Sequence, residues 1–109
     1  MKEVKAYIRN ALVDEVVDAL EALPGVPAVA VVPVRGFAHT ANGGPAVRVE
    51  MSKLEVDLPD DAVEPVIDCI VSHARTGDGH PGDGKVYVTE LAEAVRVADG
   101  ARGPEVLRR

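Results

Sequence analysis

The sequence predicts a mixed α+β domain in the order β-α-β-β-α-β, with a short extra strand near its C-terminal end. Three observations predict it. Short runs with period-2 alternation lie on either side of two runs with helical spacing. Apolar residues make up 47% of the 109-residue chain while aromatics are only 3%, so Val and Ala must do most of the packing. Glycine and proline clusters punctuate the runs where turns are needed.

The first strand is read from "MKEVKAYIR", where Val4, Ala6 and Ile8 alternate with Lys5, Tyr7 and Arg9. Leu12, Val16, Ala19, Leu20 and Leu23 then recur at helical spacing. Asp14 and Glu15 suit the positive N-terminal end of that helix, and Pro24-Gly25 ends it. "AVAVVPVRG", Ala28 to Gly36, is the second strand. Pro33 cannot donate a ladder hydrogen bond, which points to an edge position or a bulge. "FAHTANGGP" has loop composition.

Val47, Val49 and Met51 alternate in one phase, and Leu54, Val56 and Leu58 in the other. A one-residue slip swaps the faces of a strand, so a bulge or bend is expected between them. "PDDAVEPVIDCIVSHA" is the second helix, with Asp61 and Glu64 at capping-box spacing. Val63, Val66, Ile67, Ile70, Val71 and Ala74 form its apolar stripe. A glycine-rich loop follows, then the strand "KVYVTE". "EAVRVA" is the expected extra strand, and "DGARGPEVLRR" is a polar tail. The whole order is the ferredoxin-like split βαβ arrangement, a sheet with both helices on one face. The open face is then available to other subunits.

The length suits one domain spanning 1–109, and no repeat or linker divides it. A net charge of −6 argues against a nucleic-acid footprint and against adhesion to an anionic membrane. No apolar run reaches the roughly 20 residues that span a bilayer. The opening residues read as a strand rather than a signal peptide, and a single cysteine, Cys69, suits a reducing compartment, so a cytoplasmic location is expected.

The chemistry-bearing stretch is "TGDGHPGDGKVYV". Gly82, Asp83 and Gly84 followed by Lys85 could present backbone amides and an ammonium to a phosphate, or could simply connect a helix to a strand. Lys85 is followed by Val86, so the GK[ST] ending of a P-loop is missing. "RGFAHT", Arg35 to Thr40, could bring backbone near a ligand or merely end a strand. His39, His73 and His80 stand at no metal-ligand spacing, so no dedicated metal site is expected. Cys69 reads as a small packed side chain, and no nucleophile elbow, catalytic triad or carboxylate pair stands out. No catalytic residue is therefore assigned.

Taken in order, these pieces resemble the PII signal-transduction proteins over nearly the whole chain. "MKEVKAYIRNALVDEVVDAL" is similar to the family's opening strand and helix, and "VRGF" to the "KGFG" at the base of its long T-loop. "LPDDAVEPVIDCIVSHARTG" is similar to its second helix, and "GDGKVYV" with "AVRVADG" to its C-terminal signature. The resemblance implies a homotrimer that binds ADP or ATP, with AMP a further candidate, in clefts between subunits. The T-loop, about 37–47, would relay the bound state to an enzyme or a membrane transporter. The nucleotide cradle would comprise Gly36, Phe37, Ala38 and His39 with Gly82, Asp83, Gly84 and Lys85 of the glycine-rich B-loop at about 76–85. Arg96 would reach in from the neighbouring subunit, and the tail would run from about 99 to 109.

The departures are specific. The family's arginine and glutamine after its GFG are His39 and Thr40 here, so the resemblance does not carry Mg²⁺ and 2-oxoglutarate with it. The T-loop base lysine falls at Met51, the second C-terminal arginine at Ala98, and the hydroxyl facing adenine at Ala30. The B-loop is longer, through His80 and Pro81. The T-loop is short and holds no Tyr or Ser between Ala38 and Val47, so the usual modification sites are absent. Fewer cations favour ADP or AMP over ATP. The competing reading is a metal-responsive trimer of CutA type using His39 and His80. A small enzyme using Lys85 and Asp83 is the third.

Overall fold

The computed structural model describes residues 1–39 and 42–108. Strand β1 (Lys2–Ile8) leads through a 3₁₀ turn into helix α1 (Val13–Glu21). Strands β2 (Ala30–His39) and β3 (Ala46–Leu58) form a long hairpin. A 3₁₀ turn then enters helix α2 (Val63–Ala74), and a further 3₁₀ turn at Pro81–Asp83 enters strand β4 (Gly84–Glu90). The sheet order is β2-β3-β1-β4, and every neighbouring pair is antiparallel. This is the expected α+β fold of ferredoxin-like order.

The alternating residues of β1 and of the C-terminal half of β3 explain the core. Val4, Ala6, Ile8, Leu54, Val56 and Leu58 point to one face and are buried there against Val16 and Leu20 of α1 and Val66 and Ile70 of α2. Asp14 and Glu15 lie in the first turn of α1, where the helix dipole favours them. Gly25, at φ +78°, takes the left-handed turn just beyond that helix. Pro33 sits on β2, which is an edge strand, so its missing N–H breaks no ladder.

Four expectations are corrected. β2 runs three residues beyond Gly36: Phe37, Ala38 and His39 pair with Arg48, Val47 and Ala46, so the first three residues of the segment read as loop are ladder. Thr40, which the comparison of signatures singled out, lies outside the described residues. Second, β3 carries no bulge. Its register runs unbroken from Leu58 to Ser52 against β1 and from Glu55 to Ala46 against β2. The phase of its apolar residues changes because the buried face changes: β1 ends opposite Ser52, and beyond it the helices no longer cover the sheet. Third, the Asp61–Glu64 capping box does not form. Asp61 pairs instead with Arg108, and its neighbour Asp60 accepts from the N-terminal ammonium and from Lys2. Fourth, the extra C-terminal strand reduces to one bridge, Val95 with Arg102, which closes a tight turn. The sheet offers that segment no neighbour, and Val97 is left 99% exposed.

A β3 of 13 residues is about 43 Å long, nearly twice the length of β1. The far half of the hairpin therefore projects past the helix layer, in a molecule measuring 51 × 23 × 20 Å. No helix among the described residues is long and apolar enough to cross a membrane.

A cleft between the hairpin base and the glycine loop

The projecting half of the hairpin and the glycine loop meet on the open face of the sheet. Register explains why. Gly84 lies opposite Ile8 and Lys85 opposite Tyr7 on β1, while Lys53, also opposite Tyr7, leads along β3 to Met51 and Val49. Val34 and Gly36 of β2 face Met51 and Val49 across the hairpin. The result is a cavity of about 360 Å³. Gly36, Phe37 and Ala38 line one side, and Gly82, Gly84 and Lys85 the other. Tyr7, Val49, Met51 and Tyr87 complete an apolar lining; the two tyrosine rings meet edge to face at 6.0 Å.

Two stretches separated by more than forty residues in sequence thus share one cavity, as the signature reading expects. Lys85 is the one cation lining it among the described residues, and its ammonium has no ion-pair or hydrogen-bond partner among them. A cation beside apolar walls and exposed backbone can hold an anionic group whose remainder is flat and apolar. Phe37 is 74% exposed at the rim.

Gly84 is required by geometry. Its φ is +113°, and a Cβ there would overlap the carbonyl oxygen of Tyr7. Only a residue without a side chain lets β4 start this close to β1. Glycine serves strand pairing at this position, whatever it also offers a ligand.

Asp83 has a structural role. Its carboxylate accepts from the Thr76 hydroxyl at 2.6 Å, from the Thr76 and His80 amides at 3.1 and 2.8 Å, and from Arg9 Nε at 3.1 Å. These donors, the Thr76 hydroxyl first, hold it well below the usual carboxylate range. Asp83 therefore knots the glycine loop and ties it to the end of β1. It lines a second cavity of about 490 Å³ behind the loop, walled by α2 residues Ile67, Ile70 and Ala74, and does not line the first.

His80 completes the knot. Its Nδ1 accepts from the Gly82 amide at 2.9 Å and faces Arg9 Nη2 at 3.2 Å. The cradle reading counts the Gly82 amide as a ligand donor; in this structure it already has a partner. Arg9 and Thr76 were not picked out by sequence reasoning, and His80 was picked out only as a metal candidate, not as the partner of the Gly82 amide. The signal was present as His80-x-x-Asp83, a capping-box spacing hidden among glycines.

The remaining expected residues lie elsewhere. His39 ends β2 opposite Ala46, and lines neither cavity. Arg96 sits in the C-terminal turn, where its Nη1 donates to Asp99 at 2.9 Å and its backbone pairs with Ala101. It lines neither cavity of its own subunit. Among the described residues no three His, Cys, Asp or Glu side chains come together as a metal-ligand group. Cys69 is buried in α2, and burial pushes its thiol up.

The sequence has relatives among known proteins. The sequence model of the family described as nitrogen regulatory protein P-II matches residues 1–101. The nitrogen regulatory protein P-II of Cereibacter sphaeroides is 36% identical, with 98% of this chain and 100% of the relative covered. A nitrogen regulatory protein P-II 2 of Methanothermobacter thermautotrophicus is 34% identical, with coverage of 98% and 97%. The Rhodobacter capsulatus protein of the same name is 32% identical, with coverage of 98% and 100%.

Proposed function

We propose, from the premise that the chain belongs to the nitrogen regulatory protein P-II family, that it is a non-enzymatic regulator responding to an adenine nucleotide. The nucleotide occupies the cleft between hairpin base and glycine loop. Binding alters the hairpin tip, which acts on a partner protein, an enzyme or a membrane transporter, in the cytoplasm. The observation that carries this reading is the cavity joining Gly36, Phe37 and Ala38 to Gly82, Gly84 and Lys85.

In this reading Lys85 meets the phosphates and the walls of Val34, Val49 and Met51 take the base. The cavity opens to solvent and is lined by a single cation among the described residues, so a second contribution is needed. A homotrimer supplies it: Arg96 of a neighbouring subunit exchanges Asp99 for the ligand. With so little positive charge, ADP or AMP is favoured over ATP. Thr40 stands where the family has the glutamine that helps hold Mg-ATP and 2-oxoglutarate, so this reading includes neither Mg²⁺ nor 2-oxoglutarate.

The test is calorimetric titration with ATP, ADP, AMP and a cyclic nucleotide, each with and without Mg²⁺ and 2-oxoglutarate. One adenine nucleotide per subunit is expected. Lys85→Ala should weaken it by roughly 1–3 kcal/mol, the size of a charged hydrogen bond. Arg96→Ala should do the same only in the assembled oligomer. No heat and no thermal shift across the panel would sink the ligand assignment. The CutA-like metal reading predicts instead a metal titration sensitive to both His39→Ala and His80→Ala.

A further inference from the structure

The chain contains two tyrosines, one phenylalanine and no tryptophan. Aromatic rings ordinarily supply much of a core, each burying roughly 150–250 Å². Here the core cluster is aliphatic apart from Cys69. Tyr7, Tyr87 and Phe37 all line the cleft between hairpin base and glycine loop instead. Tyr87 is 49% exposed there and Phe37 74%. A chain gains more by burying such rings than by displaying them, so their gathering in one cavity points to something that uses their faces.

Their placement says what that is. Tyr7 stands opposite Lys85 across the β1–β4 ladder, where partner Cβ atoms lie about 4.5–5.5 Å apart. It is also diagonal to Met51, which lies two residues from Lys53, the partner of Tyr7 on β3. Tyr87 follows Lys85 by two residues on β4, on the same face. The two tyrosine rings meet at 6.0 Å with an interplanar angle of 89°. Such a contact takes one face of one ring and the edge of the other, and leaves the remaining faces outside the pair. A cation and a braced aromatic surface thus stand side by side on one face of the sheet.

Resting on the nucleotide reading above, we infer that the Tyr7–Tyr87 pair is the platform on which the base stacks, and that it makes the cleft selective for purine over pyrimidine nucleotides. A phosphate held at Lys85 brings its sugar and base over the adjacent Tyr7, with the Met51 side of the cleft along the edge of the base. Tyr87 braces the Tyr7 ring and extends the surface. A two-ring base covers more of this platform than a one-ring base and gains more from it. An anion without a base does not sense it.

The experiment titrates the full chain and its Tyr7→Leu, Tyr7→Phe and Tyr87→Leu variants with ADP, CDP and pyrophosphate by calorimetry, with sedimentation of each protein. Without tryptophan, the ultraviolet emission of the chain comes from these two tyrosines. ADP should quench it after correction for ligand absorption, and pyrophosphate should not. Tyr7→Leu should weaken ADP at least about fivefold, the low end of one base–aromatic stack. It should leave pyrophosphate unchanged and close the gap between ADP and CDP. Tyr7→Phe keeps the ring and should match the natural chain. Tyr87→Leu, on an edge strand and half exposed, should also weaken ADP and spare pyrophosphate, and it decides the matter if Tyr7→Leu does not fold. ADP binding equally to the natural chain and both leucine variants overturns the inference and leaves the nucleotide reading intact. Equal weakening of ADP and pyrophosphate also overturns it, because the rings then act through folding or assembly and not on the base. Pyrophosphate binding with no response to either nucleotide overturns both.

Discussion

Strand β3 is two different strands joined end to end. From Ser52 to Leu58 it pairs with β1, with β2 on its other side as far as Glu55, and its even-numbered residues are buried. From Ala46 to Met51 it has β2 alone, and its large apolar residues, Val47, Val49 and Met51, are odd-numbered, on the opposite face. Leu54 is fully buried, while Val47 is 44% exposed. The backbone is continuous across the change. A switch in hydrophobic phase thus marks where one covering layer stops and another surface must be covered, with no break in the ladder. In the first half apolar residues close a core within the subunit. In the second they line a cleft whose other walls are the glycine loop and, in the trimer we propose, a second subunit.

The sharpest way to break this contrast is at the seam between the halves. Gly84→Ala places a methyl group against the Tyr7 carbonyl at a positive φ, and should cost more than about 4 kcal/mol, measured by denaturant unfolding. A cost below about 1 kcal/mol would mean that β4 can shift along β1. Within β3, Leu54→Ala should cost roughly 2–5 kcal/mol, as a filled core position does. Full stability in that variant would deny that the helix-covered half holds the subunit together.

A smaller effect is expected at the edge of the open face. Asp57 pairs across the ladder with Glu3, and its Oδ1 is buried without a hydrogen-bond partner among the described residues. Burial first, then the Glu3 carboxylate, pushes its pKa up to about 6 from an ordinary 3.8. The folded state thus holds a proton that the unfolded chain releases. That contribution is complete below about pH 3.8 and is lost as pH rises through about 6. Asp57→Asn removes the cost of ionising there. It should stabilise the protein by about 1 kcal/mol at pH 7.5, a value discounted for partial exposure, and by nothing at pH 3.5. Thermal melts at the two pH values decide it; equal effects at both would mean that Asp57 is solvated. Asp83 has the opposite slope: its carboxylate stabilises the loop above the ordinary carboxylate range and releases it in acid. The smallest change belongs to Val49→Ser, with a cost under about 0.5 kcal/mol to an isolated subunit. Its effect should be read in sedimentation instead, as loss of the trimer.

Much of the site was legible because its two halves carry local signatures, "VRGF" and "GDGK", whose glycines and lysine have few alternative uses. Their meeting in one cavity depended on register. Tyr7 opposite both Lys53 and Lys85 brings hairpin and loop to one face, and pairing partners are not written in either stretch alone. The roles of Arg9, Thr76 and His80 were hidden for the same reason: all three converge on Asp83 or on one another from positions up to 74 residues apart.

The sequence by itself determined the element order and the helix-facing residues of β1 and α2, and narrowed the proline strand to an edge position or a bulge. Those follow from periodicity and from a missing donor, both local properties. Only the tertiary structure decided that β3 runs straight through its change of phase, that the last expected strand finds no neighbour, and that the Gly82 amide is taken. Each of these turns on which partner is within reach. A hydrogen-bonding or apolar group commits to the nearest one that folding supplies, and that choice is made in space, not along the chain.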